Sequence, residues 1–377
     1  MTLFVDKSRD LPGLAARLAR AERVYLDTEF ESSRAGTQLS LLQISTAEEI
    51  FLIDALRLTD LGPLAGPLGR ADVEWVVHAG LQDVALLVER LDLKQRARVF
   101  DTQVAWGLTS AEPSVSLAYL KFKLLGIRSG KAHQADDWRQ RPLPASQLAY
   151  AAEDVEHLPA LFAALVARLE AKERVEIAYE ASREALWPEP DAPGGLRLED
   201  FRNAWQLDPS SQAALRYLIE WYEALSPDAR AEAPEPKALL SIAGRLPENE
   251  RELARIKGVP RRFAERSGRA LTGELMRRTA QATAADFVPI DPPPYATFED
   301  VRLDAWLGTV RAELAAELQI APELLLPGRV LRRLRASLVQ LRDLSAALAT
   351  LEGFRAKLLP EPVQRLSRTL PPPLARG

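Results

Sequence analysis

Strand-forming text is confined to the first hundred or so residues of this chain, and that asymmetry limits the folds open to it. VYLDTEF (Val24 to Phe30), TQLSLLQIS (Thr37 to Ser45) and EIFLID (Glu49 to Asp54) are three β-rich runs on short connections, which predicts an antiparallel meander. VEWVVH (Val73 to His78) and a short run at Arg98 to Phe100 predict two further strands, with helices over Leu58 to Gly69 and Gly80 to Leu91 between them. Strands that begin to alternate with helices imply a mixed α/β sheet. After that the periodicity is helical to the end, interrupted by WPEPDAPGG at Trp187 and by FVPIDPPPY at Phe287. The expected organisation is an α/β domain over 1–186, a linker over 187–200, an all-α domain over 201–283, a Pro-rich linker over 284–296, a second all-α domain over 297–370 that diverges from the first, and a tail over 371–377 with no regular structure.

Composition narrows the chemistry. With no cysteine, thiolate zinc sites and thiol nucleophiles are excluded. His78, His133 and His157 have no metal-ligand spacing, and neither a GxGxxG nor a GxxxxGK[ST] follows any strand. No apolar run approaches the ~20 residues of a membrane span, so a cytoplasmic protein with no membrane partner is expected, and a monomer is the simplest state. The net charge of −4 disfavours broad contact with nucleic acid. The stretch Arg251 to Ala280 runs against it, with nine Lys/Arg against three Asp/Glu; Arg261 and Arg262 lie at its centre, either as a local nucleic-acid grip or as a solvated helix face.

Carboxylates carry the sharper signal. Asp27 and Glu29 close the first strand two residues apart, hence on one face. Two acids held so close raise each other's pKa unless a cation intervenes, and hard oxygen donors suit Mg2+ or Mn2+. In LAYAAEDVEHL, the positions Leu148, Ala151, Val155, Leu158, Phe162 and Leu165 form one apolar stripe with Asp154 at its margin and Tyr150 beside it, as i and i+4 partners lie, while Glu153 and Glu156 point to water. Asp83, three residues into the helix after VEWVVH, has the plainer reading of an acid at a helix N-terminus. Taken together, four acids and a tyrosine spread over a mixed sheet match what two-cation phosphodiester hydrolysis requires. A tyrosine with an ordinary pKa of ~10 is a poor base but can orient a water.

DTEF, HAGLQD and YAAEDV resemble the three motifs of the DEDD exonuclease superfamily in its tyrosine subgroup; the histidine subgroup would have its histidine where Ala149 stands. FDTQVAW and DDWRQRPLPASQLAYAAEDVEHL are similar to ribonuclease D in particular. ALLSIAGRLPENERELARIKGV resembles the HRDC helical module, and ELQIAPELLLPGRVLRRL with EGFRAKLL a second, divergent copy. The loop ESSRAGTQLS lacks the Tyr-Pro frequent in the family, which bears on substrate preference. The resemblance implies an RNase H-like mixed sheet followed by two HRDC-like domains, and 3′–5′ removal of nucleoside monophosphates from RNA, in 3′ processing of tRNA or other stable RNA. It implies two Mg2+ or Mn2+ ions held by Asp27, Glu29, Asp83 and Asp154, with Tyr150 positioning the attacking water. It also offers Phe30 and Trp138 to the substrate's bases. The same motifs leave open a DNA exonuclease and a catalytically inactive RNA-binding protein. Deleting everything after about residue 195 is expected to weaken RNA binding while sparing cleavage.

Overall fold

The computed structural model describes residues 1–33, 36–46, 48–94, 97–128, 136–187, 195–283, 287–292 and 295–373. His133, residues 188–194 of the first linker and 374–377 of the tail lie outside them. The described residues form two compact units, one of Met1–Glu31, Gln38–Glu189 and Ala296–Gly377, the other of Ser32–Thr37 and Pro190–Tyr295.

The first unit is built on a mixed six-stranded sheet in the order β1-β4-β3-β2-β5-β6. The strands are β1 Thr2–Val5, β2 Arg23–Ser33, β3 Gly36–Ser45, β4 Ile50–Asp54, β5 Glu74–Val77 and β6 Arg98–Asp101. β3 and β4 pair antiparallel, with Leu41 opposite Asp54 and Ser45 opposite Ile50, as the meander predicts. β5 runs parallel to both β2 and β6. β1 was not foreseen: TLFV is four residues without turn signals, and only its parallel pairing with β4 makes it a strand. The helix expected over Leu58 to Gly69 is instead two short turns, Gly62–Leu64 and Ala65–Leu68, because Pro63 and Pro67 each remove a donor.

Alternation along β2 sends Val24 and Leu26 into one apolar core, with Leu42, Phe51, Trp75, Val84 and Leu87, and Tyr25 into another on the opposite face. That second core continues without a break from Phe100, Phe162 and Leu165 to Trp306, Leu307, Leu314 and Phe354. The helices after residue 296 therefore share the core of the sheet-bearing half instead of folding as a separate third domain, which corrects the partition drawn from the prolines. Hydrogen bonds stitch the seam: Arg174 donates to the carbonyls of Leu108 (2.8 Å) and Leu318 (2.6 Å), Ala321 N–H to Gly107 (2.7 Å), and Arg355 to Glu184 (2.6 Å). Periodicity shows that a helix has an apolar face but not which partner covers it.

The second unit packs the helices Pro209–Glu223, Pro236–Arg245 and Arg261–Ala280 around Leu215, Leu218, Leu239, Ile242, Phe263 and Leu271. Its helices start where the sequence caps them: Asp208 accepts from Ser211 N–H (2.7 Å) and Asn249 from Arg251 and Glu252 N–H. Gly258, at φ +91°, lies where a Cβ would come within 3.0 Å of Ala238 Cβ, so the I-K-G-V turn needs glycine. Among the described residues no helix is long and apolar enough to cross a membrane.

Candidate active site

The stripe from Leu148 to Leu165 is not one helix. Helix Ala145–Glu156 stops at His157, and Leu158–Glu170 starts afresh with Pro159 in its first turn, where a missing N–H is harmless. The break divides the stripe between two cores: Ala151 packs with Leu41, Leu52, Trp138 and Leu143, whereas Val155, Leu158 and Phe162 join the larger cluster. It also lets the first helix lie over the sheet face from which Asp27 and Glu29 project.

Asp27, Glu29 and Asp154 converge there, each half-buried, with one carboxylate oxygen apiece lying within 4.8 Å of the others. Asp83 is outside this set of three but adjoins it. It is buried, and it accepts a hydrogen bond from the hydroxyl of Thr28, the residue between the two β2 acids. Burial pushes Asp27 well above the usual carboxylate range, and the charges of Asp83, Asp154 and Glu29 push it further. Burial and then the charges of Asp154, Asp83 and Asp136 raise Glu29 to about 8. Asp154 rises to about 6, burial being opposed by the charge of Lys121 and by a hydrogen bond from Tyr150. Burial and the same acids raise Tyr150, so its phenol stays protonated.

The surroundings include residues that the sequence alone did not single out. Asp101, 2 % exposed, accepts from Ala79 N–H (3.1 Å) and Gly80 N–H (3.0 Å) while capping the next helix through Gln103 N–H (2.8 Å). It thereby holds the turn ahead of helix Leu81–Arg90, in which Ala79 sits at φ 53° and which delivers Asp83. An acid closing a strand just before a helix was its only signal. Asp54, fully buried at the end of β4, takes a two-point hydrogen bond from Arg141 (2.6 and 2.8 Å), and Arg141 also reaches the carbonyls of Ser40 (2.9 Å) and Trp138 (2.7 Å). This clamp seats the segment Asp136–Pro144 beside the acids.

Two expectations need correction. Trp138 is 1 % exposed, with its ring 6.3 Å from that of Tyr150 and tilted against it, so its face is not open to a base. Glu153 does not point to water as Glu156 does, because it pairs with the buried Lys121. Phe30 is half-buried on β2 next to Glu29. Arg261 and Arg262 lie in the second unit at the start of helix Arg261–Ala280; both are exposed, and Arg261 is tied to Glu265 at 2.9 Å.

Residues 3–170 match the family model described as a 3′–5′ exonuclease. The ribonuclease D of Gluconacetobacter diazotrophicus is 33% identical over 282 residues, covering 72% of this chain and 70% of its own. That of Pseudomonas paraeruginosa is 31% identical over 320 residues, 83% of each chain. The crystal structure of Escherichia coli RNase D, described as an exoribonuclease involved in structured RNA processing, matches with a TM-score of 0.78 at 24% identity over 98% of this chain and 100% of that one, a likeness of fold.

Proposed function

As this chain belongs to the ribonuclease D family, we propose that it is a metal-dependent 3′–5′ exoribonuclease that releases nucleoside monophosphates in 3′ processing of tRNA or other stable RNA. The observation that carries the metal assignment is the meeting of Asp27, Glu29 and Asp154, from distant points of the sequence, within 4.8 Å. Acids that close, all raised by burial and Asp27 and Glu29 further by their neighbours' charges, need positive charge between them. The donors are carboxylate oxygens, which fit Mg2+ or Mn2+, and Asp83 beside them completes a set able to hold two ions. Bound there, two divalent cations would supply a nucleophile at neutral pH and a counter-charge for the leaving oxygen.

The chain's own residues do the rest. Tyr150, four residues before Asp154 and protonated, orients the attacking water without acting as a base, as in the tyrosine subgroup. Phe30 packs against the terminal nucleotide, and Trp138 holds Tyr150 in place. Residues 201–283 act as an HRDC-like module, with the basic helix that begins at Arg261 and Arg262 gripping RNA phosphates.

On 5′-labelled RNA with a free 3′-hydroxyl, Mg2+ or Mn2+ produces a ladder of shortening products and a chelator stops it. No shortening with Mn2+ present overturns the assignment, and a matched DNA oligonucleotide degraded as fast removes the preference for RNA.

The acids also set a pH dependence. Glu29 moves from 4.5 to about 8 and Asp154 from 3.8 to about 6 on folding. Between its unfolded and folded pKa each binds more proton in the native state, so its contribution to stability is full below the unfolded value and is lost as pH rises through the folded one. The metal-free protein therefore loses melting temperature between pH 5 and 8, Glu29→Gln flattens that slope, and Mn2+ stabilises more at pH 8 than at pH 5.5. Calorimetric melting in a chelating buffer checks this; a slope unchanged in Glu29→Gln contradicts it.

A further inference from the structure

We propose that Lys121 is a positioning residue of the active site: its buried ammonium, braced against Glu153, fixes the turn of helix from which Asp154 and Tyr150 reach the acid cluster. The inference rests on the cation-binding role proposed for that cluster.

Lysine is almost never fully buried without a partner. Lys121 is 2 % exposed, and its Nζ lies 2.7 Å from Glu153 Oε1. It opens the segment Lys121–Leu125, a single π-helical turn, a form concentrated at functional sites because it swings one side chain out of helical register. Glu153 follows Tyr150 by three residues and precedes Asp154, so its tether grips the helix between the two side chains that matter.

Neighbouring residues on a helix point 100° apart, so a rotation that frees Glu153 also turns Asp154 relative to Asp27 and Glu29. Ala151 and Val155, the helix's buried contacts nearest Asp154, are short side chains, so the Lys121–Glu153 pair adds to the hold that Trp138 has on Tyr150. β2 carries Asp27 and Glu29 on sheet backbone, Thr28 donates to Asp83 and Asp101 holds the turn ahead of it, whereas Asp154 rides on a helix that the Lys121–Glu153 pair ties down beside it. Of the three N–H groups of the ammonium, one is given to Glu153.

The test is Mn2+ binding to the metal-free full-length chain, followed by calorimetric titration, alongside the melting temperature. Outer partners of metal ligands alter metal affinity by roughly 10–100-fold when removed, and Lys121→Met is expected to weaken Mn2+ binding by about that factor. Because that variant takes the buried cation away from half-buried Glu153, it could unfold. Glu153→Gln keeps the shape and an acceptor for Lys121 but withdraws the charge that faces the buried ammonium, so it is expected to lower the melting temperature and to weaken Mn2+ binding in the same direction.

A purely structural ion pair moves the melting temperature alone. The proposal is overturned if Glu153→Gln, and Lys121→Met where folded, bind Mn2+ as tightly as the wild type or more tightly. Failure of the underlying metal site looks different: the wild type and Asp27→Asn then bind Mn2+ equally poorly.

Discussion

Asp154→Asn abolishes RNA cleavage while raising the melting temperature of the metal-free protein at pH 8. The substitution preserves volume and can still meet Tyr150, but it replaces an anionic oxygen by a neutral one in a set that works by charge. The loss of turnover should exceed the roughly 10–100-fold that outer partners of a metal site cost. The gain in stability has the same origin. Asp154 supplies the largest charge effect on Glu29 and a further one on Asp27. Removing it lets Glu29 ionise closer to its ordinary pKa, so less native-state repulsion opposes folding above pH 6. Inactivity and added stability together separate a functional acid from a structural one; near-normal turnover, or a lower melting temperature at pH 8, would refute the assignment. Single-turnover cleavage with Mn2+ and calorimetric melting in a chelating buffer give the two readings.

Removing residues 296–377 destabilises the nuclease half instead of merely weakening its hold on RNA. Trp306, Leu307, Leu314 and Phe354 are 6 %, 4 %, 0 % and 1 % exposed and belong to the same core as Phe162, Leu165, Ala178 and Ala181. Burial of a large apolar side chain is worth roughly 1.5–3 kcal/mol, so baring a handful of such contacts rivals a total stability of roughly 5–15 kcal/mol. The cut also orphans Arg174, which is half-buried and loses the Leu318 carbonyl, and Glu184, which loses both Arg329 and Arg355. A drop of more than about 10 °C in melting temperature, or insoluble expression, is expected. A soluble truncated form that melts with the full chain would show that the shared core adds nothing. The structure thus revises the expectation that everything after about 195 can be deleted while sparing catalysis.

The acids themselves were legible because chemistry forced their signature. Asp27 and Glu29 stand two residues apart within β2, where period-two alternation alone puts them on one face, and Tyr150 and Asp154 are spaced as neighbours on a helix. What they meet was not legible. Asp83 could be read as an ordinary N-terminal helix acid, and its bond to Thr28 depends on how β2 and helix Leu81–Arg90 pack. Lys121 in LKFKLL has the look of a solvated lysine, and only the π-turn buries it. Trp138 follows two acids in a loop, a context that suggests exposure; the Arg141–Asp54 clamp, made across 87 residues of chain, reverses that.

Local pattern, then, determined which residues bear charge, which element each rides on and which side of that element it takes, since strand and helix periods are properties of the backbone. Tertiary structure alone decided which apolar faces cover one another, and so joined residues 296–377 to the sheet's core, brought three acids within 4.8 Å and enclosed the ion pairs around them. Those outcomes come from contacts between segments far apart in sequence, whose free energies depend on mutual burial and on charge at close range, quantities that no segment carries by itself.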